Sequence, residues 1–185
     1  MLIKGTAVKA TPDFVRARYN EKFREWINAL PETSKSIILD GVYATNWYPL
    51  TESVIIPTQK VGDMFFGGDH IMAAKELGRF SAEVALKGIY KLFVRVSSPH
   101  FVLSRASSVF GTYYNPSDIT ILEKRDKKAI MQFSGFDEKD KLIIHRISGW
   151  IEKTLEITLK SPLRIEVKSN VIGSKCTFTI ATEWD

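Results

Sequence analysis

Cysteine is almost absent: the chain of 185 residues has only Cys176. That excludes an internal disulfide and a zinc site made of cysteines from one chain. Long apolar runs are also missing, and none reaches the roughly 20 residues that span a bilayer. The opening Met1-Leu2-Ile3-Lys4-Gly5-Thr6 lacks the apolar stretch and small-residue end of a secretory leader. A cytoplasmic location without a membrane span is the expectation. Low-complexity linkers and internal repeats are absent too. Hydrophobic residues make up 44% and charged residues 25%. These values exclude a disordered tail, a collagen-like fibre and a coiled coil.

Charge of one sign is scarce. The net +5 comes from 26 Lys+Arg against 21 Asp+Glu. Both signs interleave, as in Glu123-Lys124-Arg125-Asp126-Lys127-Lys128. Nucleic-acid binders gather basic residues on one face, so this pattern is read as a solvated surface and no nucleic-acid partner is expected. At this length a single domain, 1–185, buries roughly 70% of the surface its unfolded chain exposes and needs no covalent staple.

Periodicity outlines the elements. Leu2 to Lys9 reads as a short strand. Thr11-Pro12-Asp13 reads as a helix start, with Thr11 as cap. Tyr19, Phe23, Trp26, Ile27 and Leu30 then recur at helical spacing up to Pro31. Ser34 to Leu39 reads as a short helix, Asp40-Gly41 as a turn, and Trp47-Tyr48-Pro49-Leu50 as a loop. Thr51 caps the next helix, which is kinked or broken at Pro57 and ends by Gly67-Gly68. Asp69 caps one long helix, or two, reaching about Val96. Pro99 opens another, ending near Tyr114-Asn115-Pro116.

The period then switches to two. Ile119 and Ile121 alternate with polar residues, Arg125 to Lys128 turns, and Ala129 to Phe136 pairs back as a hairpin. Asp137 caps a helix from Glu138 to about Leu159. Leu163 to Val167 and Cys176 to Ile180 alternate around a turn at Asn170 to Ser174 and form a second hairpin. The expected class is α+β, with an N-terminal helical half packed on a four-stranded antiparallel sheet of two hairpins and an intervening helix.

Motifs for chemistry are few. His70, His100 and His145 share no i, i+4 spacing, and no His-Glu-x-x-His run exists. No metal site is expected. Gly67-Gly68-Asp69-His70 lacks the phosphate-loop ending and reads as a turn with a cap. Ser97-Ser98-Pro99-His100 reads as a serine cap with proline in the first turn, and no Gly-x-Ser-x-Gly elbow occurs. Asp137, Glu138 and Asp140 suit the positive end of a helix. No catalytic residue and no enzyme are expected. Cys176 is in phase with Phe178 and Ile180. Two readings of it stay open, a small buried hydrophobe or a reactive or acylated thiol. The plentiful aromatics build a core, and one left unfilled encloses an apolar cavity.

Three stretches carry a family resemblance: Phe110-Gly111-Thr112-Tyr113-Tyr114, Leu142 to Glu156 around Gly149-Trp150-Ile151, and Cys176 to Trp184. Trp47-Tyr48-Pro49 and Leu77-Gly78-Arg79 add to it. Together they resemble a paralogue-rich bacterial family best known from myxobacteria. That family is similar in layout to the 4-vinyl reductase domain, the haem-based nitric-oxide-binding domain and the TRAPP vesicle-tethering subunits. The resemblance implies helices on an antiparallel sheet, sometimes around an apolar ligand, in sensors or assembly modules. The haem-binding branch uses a helix histidine and a Tyr-x-Ser-x-Arg strand. The nearest stretch here, Gln132-Phe133-Ser134-Gly135-Phe136, has neither Tyr nor Arg. The 4-vinyl reductase branch often carries a cysteine cluster, of which only Cys176 remains. No cofactor is therefore expected.

Two functions follow as expectations. In the first, the chain is a non-enzymatic regulatory or sensory domain binding a small apolar ligand between helices and sheet. Phe101, Phe110, Tyr113, Trp150 and Cys176 line that site, and ligand burial shifts a helix against a protein partner. In the second, the chain is a protein–protein module, a homodimer or scaffold subunit, with a filled core and an exposed apolar patch.

Overall fold

The computed structural model describes residues 1–87, 98–159, 161, 163–172 and 175–185. Strand β1 (Leu2–Lys4) runs directly into helix α1 (Gly5–Tyr19). The helix thus begins well before Thr11, and both Thr11 and Pro12 are buried inside it. The loop before β2 explains the early start. A helix leaves its first N–H groups without internal partners. Here Gly5 N–H donates to the Asn46 carbonyl at 2.9 Å and Thr6 N–H to the Ala44 carbonyl at 3.2 Å. A Cβ on Gly5 would lie 2.0 Å from the Tyr43 carbonyl oxygen, so only glycine fits.

After α1 a 3-10 turn (Asn20–Lys22) leads to α2 (Phe23–Asn28), and α3 (Glu32–Leu39) follows Pro31. Trp47-Tyr48-Pro49 is strand β2 rather than a loop. It pairs with one side of β1, and β3 (Tyr114–Asn115) pairs with the other. Strands this short show no alternation, and their pairing comes entirely from distant partners. Thr51 is not a cap. Thr51–Ile55 form a π-helical turn that passes into α4 (Ile56–Phe65), with Pro57 tolerated in the first turn. Gly67 and Gly68, at φ of 60° and 89°, end that run. Asp69 caps α5 (His70–Ala85), accepting from Met72 N–H at 2.9 Å. The expected continuation to Val96 lies largely outside the described residues.

Helix α6 (Pro99–Phe110) precedes the main sheet. Strands β4 (Asp118–Arg125), β5 (Lys128–Asp137), β6 (Leu163–Ile172) and β7 (Lys175–Trp184) lie in the order β4-β5-β7-β6, every neighbour antiparallel. Helix α7 (Leu142–Thr158) links the hairpins after a 3-10 turn at Glu138–Asp140. Asp137 closes β5 and caps nothing. Asn170 to Ile172 belong to β6, while Gly173 and Ser174 of the expected turn lie outside the described residues. The class is α+β, as the patterning implied. One core lies between the sheet and α7, and includes Met131, Phe133, Phe178, Ile180, Ile143 and Leu155. A second fills the helical half around Phe14, Trp26, Val61 and Leu77.

Helices α5 and α7 cross backbone to backbone. A Cβ on Gly78 would lie 1.9 Å from the Arg146 carbonyl oxygen, and one on Gly149 would lie 2.2 Å from that of Lys75. Ion pairs flank the crossing. Arg79 grips Glu156 with both terminal nitrogens at 2.8 and 2.9 Å, Lys75 meets Glu152 at 3.4 Å, and Lys153 meets Glu83 at 3.0 Å. Exposed pairs of this kind are each worth at most about 1 kcal/mol, so the steric fit dominates. Alanine is intrinsically better than glycine in a helix by about 1 kcal/mol, but here it would meet an unyielding backbone. Gly78→Ala or Gly149→Ala should lower unfolding free energy by about 1–3 kcal/mol, as overpacking does. Gly111→Ala, with no atom within 4 Å of the new Cβ, should stay within about 0.5 kcal/mol of the parent. Urea midpoints at constant slope measure both.

Candidate functional site

An aromatic cluster forms where the two sheets meet. Phe110 ends α6, Tyr114 lies in β3, Phe133 and Phe136 in β5, and Phe178 in β7. Phe110 stacks on Tyr114 at 4.7 Å and meets Phe133 edge-on at 5.2 Å. Phe136 closes the ring against Tyr114 at 6.1 Å and Phe178 at 5.8 Å. Residues three apart on a regular strand face opposite sides. Phe133 and Phe136 nonetheless both point inward, because the register shifts between them. Gly135 makes the bulge at φ 90°, and a Cβ there would lie 2.8 Å from the Pro116 carbonyl oxygen.

A charge sits beside this apolar wall. Arg146 of α7 is 5% exposed. Its Nη1 donates to Thr11 Oγ1 at 2.9 Å and its Nη2 to the Ala7 carbonyl at 2.7 Å, tying α7 to α1. Both acceptors are neutral. Burial pulls the Arg146 pKa below its ordinary value, while interaction with Tyr114 works in the opposite direction. A guanidinium nevertheless stays cationic at neutral pH. Burial pushes the Tyr114 phenol up to about 12, against the pull of the Arg146 charge. Leaving a buried ion without an opposite charge costs several kcal/mol.

Of the residues expected at a site, Phe110 belongs to the aromatic cluster, and Cys176 lies in the same core opposite Phe136. Burial pushes the Cys176 thiol up, with Glu138 adding to the shift. This fits the buried-hydrophobe reading of that residue, since an activated thiol has a lowered pKa. Trp150 packs at the edge of this core, by the Gly78 crossing. Phe101 and Tyr113 are on the surface. Sequence reasoning passed over Arg146, although its spacing from Leu142, Ile143, Gly149 and Trp150 puts it on the apolar face of α7. Phe136 had no such signal, since its orientation depends on the bulge.

Two recesses among the described residues lie elsewhere. One, of about 350 Å³, is walled by Phe14, Arg18, Tyr19, Phe66, Met72 and Glu76. The other, of about 220 Å³, lies on the outer sheet face between Lys128 and Glu166. Among the described residues, no three of His, Cys, Asp and Glu are grouped to hold a metal ion. No described helix is long and apolar enough to cross a membrane.

No family model and no curated protein sequence matches the chain. Solved structures do. The H-NOX protein of K. algicida, in its Fe(II) unliganded form, superposes with a TM-score of 0.72 at 14% identity, covering 99% of this chain and 97% of that one. An H-NOX structure concerned with haem distortion gives 0.70 at 14%, covering 99% and 95%. The S. oneidensis H-NOX protein, in a mutant form, gives 0.69 at 13%, covering 99% and 96%. The chain has the H-NOX fold. This supports the wider fold group named by the resemblance, and it does not single out the myxobacterial-type family.

The residues present do not fit a haem. None of the three histidines is fully buried. His100 Nε2 lies 2.5 Å from the Arg125 carbonyl and its ring packs on Trp184. His70 binds Asp63 at 2.7 Å, and His145 is half-buried near Lys75. Along β5, Phe133 lies in the cluster, Gly135 makes the bulge, and Asp137 pairs with Lys175 at 2.8 Å. This stretch offers neither a phenol nor a cation to an acidic macrocycle.

Two groups at the α5–α7 face make stability depend on pH. Burial favours protonation of Glu156, but the hydrogen bond and charge of Arg79, with Lys153, outweigh it and hold the carboxyl below 4.5. That contribution is complete above about pH 4.5 and fades as pH falls through the folded value. Burial, then Lys75, holds His145 below 6.5. The unfolded chain then binds the proton more strongly, and stability declines as pH falls from 6.5. The melting temperature should therefore drop between pH 7 and 4. His145→Gln should flatten the upper part and Glu156→Gln the lower part. Solvent screening keeps each effect under about 1 kcal/mol.

Proposed function

We propose that this chain is a non-enzymatic sensory domain that takes up a small apolar ligand, other than haem, between its helices and main sheet. The carrying observation is the aromatic cluster of Phe110, Tyr114, Phe133, Phe136 and Phe178 lying beside α7. That helix carries Arg146 on one turn and the Gly149 crossing on the next. A ligand entering among the rings displaces side chains against α7. Because Gly78 and Gly149 leave no slack, the displacement passes to α5 and the helical half. Phe110, Trp150 and Cys176 are kept as lining residues, with Phe101 and Tyr113 on the outside, where a partner protein would read the change. Ligands shift such equilibria only by binding one state better than the other. The fold likeness to H-NOX proteins supports a sensory role and leaves the ligand to this chain's own residues.

A second reading has its own support. Leu2, Tyr43, Trp47 and Tyr113 are exposed around the small sheet, with Lys4 Nζ 4.4 Å above the Trp47 ring. Such a patch suits a protein contact, and the chain would then serve as an interaction module or homodimer.

Native mass spectrometry of the intact chain separates the two. The sensory reading expects a retained small molecule that is lost on partial denaturation, and no Soret-band shift on adding haemin. A ligand-free mass that stays unchanged after incubation with apolar compounds, together with self-association at micromolar concentration in sedimentation, would favour the interaction module.

A further inference from the structure

Among the described residues Arg146 has no acidic partner. All 21 Asp and Glu residues lie among the described residues, and none makes an ion pair with it. Apart from Arg146, the only charged side chain that is buried among them is Asp140, whose Oδ1 accepts from Thr51 Oγ1 at 2.8 Å. A guanidinium carries five N–H groups. The contacts to Thr11 and Ala7 need only two neutral donors, which a glutamine amide supplies without burying a charge. Tying α1 to α7 therefore does not account for a cation here. The guanidinium reaches the Ala7 carbonyl in the first turn of α1, directly after β1, and β1 pairs with β3, which carries Tyr114; that ring stacks on Phe110 and meets Phe136. A positive fork at the edge of an aromatic wall is the complement of an amphiphile with an anionic head.

We infer that Arg146 receives the acidic head of an amphipathic ligand, a carboxylate on an apolar chain, whose body lies against Phe110, Tyr114 and Phe136. The inference rests on the sensory reading above and names the class of its ligand. Binding supplies the missing opposite charge and so stabilises the state in which α1 and α7 are bridged.

Calorimetric titration of the intact chain with dodecanoate and dodecanol, both below micellar concentration, tests this. Dodecyl phosphate serves as a third arm. Dodecanoate should bind at least about tenfold more tightly than dodecanol. Arg146→Met should abolish that preference, and Arg146→Lys should keep part of it. Tighter binding of dodecyl phosphate than of dodecanoate would overturn the carboxylate assignment. Equal binding of acid and alcohol would overturn the anchor and leave the apolar-ligand reading standing. No binding of any of the three would overturn both. If Arg146→Met does not fold, the acid-to-alcohol ratio of the unsubstituted chain and of Arg146→Lys decides.

Discussion

Two glycines that face each other's helix set the spacing on which this molecule depends. With no Cβ at Gly78 or Gly149, the backbones of α5 and α7 touch, and each glycine sits against the other helix's carbonyl oxygen. Helix α7 covers the main sheet, and α5 belongs to the helical half. Their crossing is the principal seam between the two cores. Packing this close cannot deform gradually, because the atoms in contact are backbone. In the sensory role proposed for this chain, movement on one side would pass to the other as rotation or sliding. The flanking pairs, Arg79 with Glu156 above all, fix the register of the crossing more than its strength.

The second constraint is electrostatic. Arg146 sits on the α7 turn just before Gly149, and its own carbonyl is the atom that excludes a side chain at Gly78. The residue that holds an unmatched charge also supplies the contact surface of the crossing. A protein interior tolerates such a charge only with compensation, and two neutral oxygens are weak compensation. The aromatic cluster next to it provides area without polarity. This chain thus buries a cation next to an aromatic wall, and none of its three histidines is fully buried.

Much of the fold was legible in the sequence. The two hairpins, the helix between them and the Asp69 cap follow from periodicity and capping chemistry. The small sheet was not legible, because β1, β2 and β3 are too short to show alternation and Ile3 is paired with Tyr48 and Tyr114, far away in sequence. The start of α1 was misread at Thr11-Pro12 because loop carbonyls from residues 44 and 46, rather than a side chain, serve its first N–H groups. At the candidate site, Phe110 and Cys176 could be read from phase. Phe136 could not, since the Gly135 bulge reverses its direction. Arg146 stood on an apolar helix face and was the one readable signal left unused.

The central claim is that ligand uptake beside α7 reaches the helical half through the Gly78–Gly149 crossing. Hydrogen exchange of the intact chain, with and without saturating dodecanoate, tests it most directly. The account predicts slower exchange in α7 around residues 143–151 together with α5 around 74–82, two segments that meet at that crossing. Protection confined to the outer sheet face or to α6, with α5 unchanged, would contradict it.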